Sequence, residues 1–276
     1  SYRVVDMGAS LMSQLIIGIL EPASYVSYNL LALLCCATLI PLTLTKVAQP
    51  ETPKAPRLRP MLAISRSPLA AVGVVVAALS GASFRMTGPI FGQQVGLEIT
   101  AIAYFLASFV LGGAIAQYPI GFIADKIDRR WVLIWLSFAA IISCIVTANI
   151  TTSNIYTLMI TAGFFGFTTF PIFSVAAAHA HDFAKDYERV ELSAALMFFY
   201  AIGAIAAPYT ASVLMESFGP SALFYLISFG HAALVIFGFY RMLSRPSVEE
   251  KTDYIYSPRT SFLIGRLLKS HHKDNK

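Results

Sequence analysis

A single arginine stands inside an otherwise apolar stretch of the sequence. Arg85 lies in the run Leu69–Thr87, which Gly88-Pro89 follows directly. A charged side chain within a membrane is costly and usually faces a cavity or a partner. The guanidinium predicts recognition of an anionic or carbonyl group of a substrate through paired hydrogen bonds, and the Gly-Pro pair predicts a break in the helix nearby. Two alternatives stay open, which are snorkelling to the outer membrane interface and pairing with Glu98.

A group of charges follows another apolar run, in the stretch Asp125-Lys126-Ile127-Asp128-Arg129-Arg130. Asp125 and Arg129 are four residues apart, so they can pair if a helix continues through them. A carboxylate is also favoured at a helix N-terminus. We therefore predict that Asp125, Arg129 and Arg130 are gating residues, which hold a neighbouring helix end in one conformation and release it in another. The alternative is a solvated loop that only anchors the topology.

Uncharged polar and aromatic side chains within other apolar runs are the remaining candidates for substrate contact. We predict this role for four of them, which are Gln117, Phe165, Thr169 and Tyr200. The alternative for the polar side chains is hydrogen bonding between helices, and the alternative for Phe165 is packing.

Histidine and nucleophile patterns do not indicate an enzyme or a metal site. His179 and His181 are two residues apart and diverge on a helix, so we do not expect them to form a metal site with Asp182. His231 is interpreted as a hydrogen-bonded packing residue. The sequence contains no H-E-x-x-H motif, no G-x-x-x-x-G-K-[ST] loop and no nucleophile–base pair. We therefore predict no catalytic residue, no metal and no cofactor, and we expect no nucleic-acid partner.

The composition is that of a membrane protein. Hydrophobic residues make up 57% of the chain and charged residues 13%, and the mean hydropathy is +0.67. A soluble domain carries about 25% charged residues. A spanning helix needs about 20 mostly apolar residues, and the sequence contains eight candidates. They are Val4–Leu20, Tyr25–Thr45, Leu69–Thr87, Ile99–Ala124, Trp131–Ala148, Ile155–Ala178, Leu192–Met215 and Ala222–Leu243.

Positive charge is distributed unevenly between the loops that join these runs. Apart from Arg85, every one of the 20 Lys and Arg residues lies before the first run, in the Pro-rich segment 46–66, in the loops after the fourth and sixth runs, or in the tail that starts at Arg241. The intervening loops carry none. Because Lys and Arg are enriched on the cytoplasmic side, both ends of the chain are predicted to be cytoplasmic, in a cell inner membrane.

The charged loop is also the site of a family resemblance. Gly121–Arg130 resembles the signature loop G-x-x-x-D-[RK]-x-G-R-R of the Major Facilitator Superfamily, with Asp128 at the usual second Gly. Gln117–Gly121 and Ala178–Asp182 are similar to the bacterial YcaD-like branch of that family. In this family the loop follows the second and eighth helices, and the long basic linker two helices earlier indicates the eighth. The resemblance implies that the chain starts inside a longer protein and contains helices five to twelve.

The resemblance further implies the fold and its division. It implies an all-α membrane protein with eight transmembrane helices, of which the last six form a complete C-terminal lobe of inverted three-helix repeats. Residues 1–45 are then the last two helices of the N-terminal lobe, 46–67 a cytoplasmic linker, 68–243 the C-terminal lobe and 244–276 a cytoplasmic tail. In such folds the seventh and tenth helices line a central cavity near the midplane.

The implied function is secondary active or facilitative transport of a small organic solute by alternating access. The solute is expected to contact Arg85 if it is an anion. The alternative is a non-transporting membrane protein, such as an inactive transporter remnant, an intramembrane enzyme or a receptor. Besides the lipid bilayer, anionic lipid is an expected partner of the tail, because Phe262–Lys269 suits an amphipathic helix at the membrane surface; a disordered tail is the alternative.

Overall fold

The computed structural model describes residues 2–17, 20, 24–44, 58–150 and 155–244. Within these residues the chain is entirely helical, apart from its connecting turns. The helices are α1 (Tyr2–Ile17), α2 (Tyr25–Leu44), α3 (Pro60–Arg66), α4 (Pro68–Gln94), α5 (Ile99–Lys126), α6 (Arg129–Asn149), α7 (Ile155–His181), α8 (Arg189–Phe218) and α9 (Ala222–Ser244), with a short 3-10 helix at Asp186–Glu188. The predicted surface helix Phe262–Lys269 and most of the predicted linker lie outside the described residues.

Six of the described helices are long and apolar enough to cross a membrane. They are α4 to α9, and each contains one of the last six predicted runs. The first two predicted runs are also helical, as α1 and α2. Neither is among the six, because α1 and the apolar part of α2, Tyr25–Pro41, are shorter. The total of eight spans therefore stays a prediction.

Helix α4 corrects one expectation, because it does not break at Gly88-Pro89. It continues to Gln94, and the chain turns only afterwards, at Gly96 with a φ of 82°. Proline removes the N–H group that would bond to the carbonyl four residues earlier, which here is the carbonyl of Arg85. Membrane helices tolerate this loss where neighbouring helices pack around it, and the Leu106 side chain contacts Gly88 closely.

Helix α4 lies at the centre of the bundle. It packs against α7, α8 and α9, while α5 packs against α7, and α6 packs against both α7 and α9. Helix α1 lies along α5, and α3 lies across the start of α8, with Ala63 fully buried. The predicted linker thus contains a short packed helix at its end.

The middle of the bundle is held together by aromatic packing. The rings of Phe84, Phe105, Phe109, Phe165 and Phe224 come from four helices and are all buried. The Phe84 and Phe109 centroids are 4.2 Å apart, and the Phe109 and Phe165 centroids are 5.2 Å apart. Lipid tails are as apolar as these rings, so close packing rather than burial from water stabilises the contact.

Two glycines allow α5 and α7 to approach closely. A Cβ atom at Gly112 would lie 1.8 Å from the Gly163 carbonyl oxygen, and one at Gly166 would lie 1.9 Å from the Phe109 carbonyl oxygen. Small residues at such contacts are typical of membrane helix pairs. We call this the α5–α7 glycine contact.

Candidate functional site

A cleft lies between α1, α4, α5 and α7, and Arg85 is the charged residue in its wall. Its volume is about 170 Å³. The residues that line it are Ser10, Ser13, Gln14, Phe84, Arg85, Leu106, Phe109, Val110 and Phe170. The cleft therefore combines one guanidinium, three polar side chains from α1 and an apolar wall from the other helices.

The Arg85 guanidinium has no carboxylate partner among the described residues. Its Cζ atom lies 6.0 Å from the centroid of the Phe170 ring, which is near the limit for a cation–π contact. Glu98 forms the N-cap of α5 without a side-chain cap and makes no ion pair in the described part of the chain. The pairing with Glu98 that the sequence left open is thus not present. Arg85 is exposed and accessible to a group within the cleft.

The opposite walls of the cleft differ in chemistry. Ser10, Ser13 and Gln14 are spaced i, i+3 and i+4, so they share one face of α1. The Ser13 hydroxyl donates to the Ser10 carbonyl at 2.8 Å, which leaves its oxygen as an acceptor. A ligand with one anionic end and an apolar body fits this arrangement, because the anion meets Arg85 and the body meets the Phe170 side.

Two of the predicted substrate residues lie in the packed core instead. Phe165 has no solvent exposure and belongs to the aromatic cluster. Thr169 is buried, and its hydroxyl donates to the Phe165 carbonyl at 2.8 Å. Because that bond is internal to α7, the Thr169 hydroxyl is already satisfied. Phe170, one residue further along the helix, is the α7 side chain in the cleft.

The other two predicted substrate residues, Gln117 of α5 and Tyr200 of α8, are not among the residues that line the cleft. The Tyr200 hydroxyl approaches Gly81, one helical turn from Arg85, and its ring packs edge-on against Phe173 with centroids 5.3 Å apart. Gln117 is one turn beyond Gly113, whose Cα faces the Phe170 ring. The Gln117 amide nitrogen is buried and has no acceptor within the described residues.

The contribution of α1 to the cleft is not among the sequence-based predictions. Ser10, Ser13 and Gln14 are polar residues in an apolar run, and their i, i+3, i+4 spacing was the available signal. Nothing in the sequence distinguished Leu106, Phe109 and Val110, because α5 is apolar on all sides and periodicity does not select one face.

The predicted gating residues lie at a second place, where α5 ends and α6 begins. Arg129 pairs with Asp182 at the end of α7, approaches the Ala178 carbonyl at 3.4 Å, and lies 3.2 Å from an Asp125 oxygen. The side chains of Arg129 and Asp182 are 17% and 18% exposed, whereas that of Asp125 is 51% exposed. The tighter link therefore joins α6 to α7, and Asp125 adds an outer contact. We call this group the Arg129 cluster.

Asp128 replaces the second glycine of the signature loop without strain. Its φ is −58°, so the position needs no left-handed backbone, and its side chain accepts from the Arg130 N–H as the N-cap of α6. The Arg130 guanidinium donates to the same carboxylate at 2.7 and 3.0 Å. Burial by itself raises the pKa of Asp128, but the bonds from Arg130 outweigh it and the pKa is lowered. This contribution to stability is present above the unfolded-state pKa and is lost as the pH falls through the lowered folded-state pKa.

The histidines take part in contacts between helices. The His181 Nε2 atom lies 3.1 Å from the Ser193 hydroxyl on α8, and Asp182 is engaged by Arg129. His231 is buried on α9, with its Nε2 atom 2.8 Å from the Ser80 hydroxyl on α4. These positions agree with the packing interpretation of His231 and give His181 and Asp182 separate partners.

The sequence is similar to proteins of one membrane transporter family. The sequence profile of the Major Facilitator Superfamily matches residues 70–272. A protein of Enterobacter sp. (strain 638), named as an uncharacterized MFS-type transporter, is 27% identical over 80% of this chain and 56% of its own length. The MFS-type transporter YcaD of Escherichia coli O17:K52:H18 is 28% identical over 71% of this chain and 50% of its own length. The chain thus spans about half the length of these relatives.

Proposed function

This chain belongs to the Major Facilitator Superfamily and is a multi-pass membrane protein, and on that premise we propose that it moves a small organic anion across the bacterial inner membrane by alternating access. The observation that carries the proposal is the Arg85 guanidinium, which lies in a cleft between helices and has no carboxylate partner within the described part of the chain. Family membership does not favour the alternative of a non-transporting membrane protein. The relatives are named as transporters.

The chemistry of the cleft supports an anion with an apolar body. A guanidinium inside a membrane is costly without a counter-charge, so a substrate carboxylate or phosphate would stabilise it through charge-assisted hydrogen bonds. Phe170, Leu106 and Val110 would contact the rest of the molecule. Gln117 and Tyr200 are further candidates for contact, because Gln117 is one helical turn from Gly113, which faces Phe170, and the Tyr200 hydroxyl approaches Gly81, one turn from Arg85.

The packing order supports the proposed inverted three-helix repeats. In the proposed repeats, α4, α5 and α6 correspond to α7, α8 and α9. The contact of α5 with α7 then corresponds to the contact of α8 with α4, and both contacts are extensive. The contact of α6 with α7 becomes that of α9 with α4, and the contacts of α6 with α9 and of α4 with α7 map onto themselves. Three membrane crossings separate equivalent helices, so the two repeats would have opposite orientations.

The Arg129 cluster is proposed as the gate of this transporter. It joins the ends of α5, α6 and α7 through charges at the surface of the bundle. Ion pairs of this kind form and break as helix ends move, so they can stabilise one conformation over another. Arg130 would act by fixing the start of α6 through Asp128.

The proposed topology gives the first testable prediction. Reporter fusions at Lys185 and at the C-terminus should report a cytoplasmic location, and fusions at Gln94 and Gly219 an external one, because Lys and Arg avoid the external loops. With eight spans, a fusion at Lys54 should also be cytoplasmic. A cytoplasmic signal from Gln94 would contradict the orientation of α4 and α5 and hence the proposed division into lobes.

The second prediction concerns substrate binding at Arg85. Small organic anions would be screened by the rise in thermal stability of the purified protein and then by uptake or efflux in vesicles. Arg85→Lys keeps the charge but loses the bidentate geometry, so it should weaken binding of a hit several-fold. Arg85→Gln should weaken it by roughly 10-fold or more, since a charged hydrogen bond contributes about 1.5–3 kcal/mol.

A matched control separates recognition from general charge effects. Arg189→Gln removes an exposed arginine, which pairs with Asp186 at the surface, and should leave binding unchanged. If Arg85→Gln binds and transports the anion as well as the Arg189→Gln control does, Arg85 only snorkels to the interface. The proposal of an anionic substrate would then be wrong, while family membership would be unaffected.

A further inference from the structure

Three arginines converge on a small cavity at the end of the bundle that carries the Arg129 cluster. The cavity has a volume of about 20 Å³, which is enough for one water molecule or one oxygen atom. It is lined by Arg66 of α3, Arg130 of α6, His179 of α7 and Arg241 of α9, together with Ser67, which caps α4, and the first two residues of α4, Pro68 and Leu69. We call this cavity the basic pocket.

The charges around the basic pocket do not balance. Arg66 pairs with Glu188 at 2.6 Å, and Arg130 pairs with Asp128 at 2.7 Å. Arg241 has no carboxylate partner among the described residues. Like charges that share a partly buried site repel one another strongly, so the arrangement is favourable when one negative charge lies between them.

One hydrogen-bond donor beside the basic pocket has no acceptor among the described residues. The Arg66 Nε atom is buried, and within the described part of the chain it has no hydrogen-bond partner. A buried donor without an acceptor costs free energy. The start of α4 contributes only the partial positive charge of a helix N-terminus, because Pro68 has no N–H group and the Ser67 hydroxyl already accepts from the Ala70 N–H.

Exposed aromatic residues beside the pocket indicate that it lies at the depth of the lipid headgroups. Trp131 follows Arg130 directly, and its ring packs edge-on against Phe239 of α9 with centroids 6.0 Å apart. Trp131 and Tyr240 are exposed on the outside of the bundle. Tryptophan and tyrosine concentrate at the membrane–water interface, and basic pockets between helices at this depth bind anionic headgroups.

From these observations we propose that the basic pocket binds one oxygen of an anionic phosphate group, with Arg66, Arg130 and Arg241 as its ligands. Among the described residues one charge at the pocket is uncompensated, and this charge matches a phosphodiester that carries one negative charge, such as that of phosphatidylglycerol. Free inorganic phosphate offers the same oxygen chemistry from the aqueous side. In either case the bound anion would join α3 and α4 to α6 and α9.

The proposal can be tested by native mass spectrometry of the full chain in zwitterionic micelles. The probes are phosphatidylglycerol, phosphatidylcholine and inorganic phosphate. We expect one tightly retained phosphatidylglycerol, with an apparent affinity that Arg241→Gln lowers about tenfold and Arg241→Lys lowers less, because a charge-assisted contact is lost or weakened. Arg189→Gln, which removes an arginine outside the pocket, should leave the affinity unchanged.

Further arms distinguish the source of the phosphate and the contribution of the tail. Displacement of the lipid by millimolar phosphate would identify free phosphate as a ligand, and lack of displacement would identify the headgroup. Substitution of Arg259, Arg266 and Lys269 by Gln removes the charges through which the tail would bind anionic lipid, and it should preserve the effect of Arg241→Gln. Arg241 is half-buried near the end of α9, so Arg241→Gln should fold. An unfolding titration in lipid-free micelles checks that it does. If Arg241→Gln does not fold, the comparison of the parent with Arg241→Lys tests the proposal. Equal affinities of the parent, Arg241→Gln and Arg241→Lys would overturn the proposal.

Discussion

Replacing Gly166 with alanine is expected to destabilise the bundle more than alanine at any other glycine of the described helices except Gly112. The new Cβ atom would lie 1.9 Å from the Phe109 carbonyl oxygen, and at Gly112 it would lie 1.8 Å from the Gly163 carbonyl oxygen. Both obstacles are backbone atoms, so α5 and α7 must separate along their contact. We expect a loss of about 3 kcal/mol in the free energy of unfolding, measured by titration with SDS in mixed micelles.

Helix α5 provides the control for this prediction. A Cβ atom at Gly121 of α5 would meet no atom within 4 Å. Gly121→Ala should therefore leave the free energy of unfolding within about 1 kcal/mol of the parent, or raise it, because alanine favours helix more than glycine does. Equal stability of Gly166→Ala and Gly121→Ala would show that α5 and α7 do not approach through glycines.

Arg129→Gln should lower the free energy of unfolding by about 2 kcal/mol, since it removes charge-assisted hydrogen bonds and leaves the Asp182 carboxylate without its partner. Both side chains of this pair are mostly buried. Asp125→Asn should cost less than about 1 kcal/mol, because the Asp125 carboxylate is half exposed and exposed ion pairs contribute little. Unfolding titrations of the two variants measure the contrast.

A double-mutant cycle distinguishes the pair from two independent effects. Arg129→Gln combined with Asp182→Asn should cost clearly less than the sum of the single variants, because each change alone already breaks the pair. Additive losses would rule out a direct link between α6 and α7 at this point. The proposed gate predicts in addition that both single variants increase hydrogen exchange at the end of α7.

The predicted family is confirmed, and it could be recognised because the signature loop is a local pattern. Asp125, Lys126, Arg129 and Arg130 are almost consecutive, so the chain brings them together whatever the fold. The structure shows which of these residues makes the main contact between helices. Arg129 finds its main partner in Asp182, which lies 53 residues away, and Asp125 remains an outer contact.

By itself, the sequence determined the class of protein and the position of the last six spans. Hydropathy depends on composition over one helix, so Ile99, Ile155 and Ala222 were predicted as helix starts and are observed as such. The same reasoning failed at Gly88-Pro89. Whether a helix continues through a proline depends on the neighbours that pack around it, and these come from distant segments.

Only the tertiary structure decided which face of each helix packs in the core and which face lines the cleft. The apolar helices show no periodicity that selects a face, because lipid and protein interior are similarly apolar. Phe165 and Phe170 are equivalent in the sequence, yet one is fully buried and the other lines the cleft beside Arg85. The position of the basic pocket also depends on the tertiary structure, because Arg66, Arg130 and Arg241 belong to three different helices. Packing of those helices against each other, which no local pattern encodes, brings the three charges to one place.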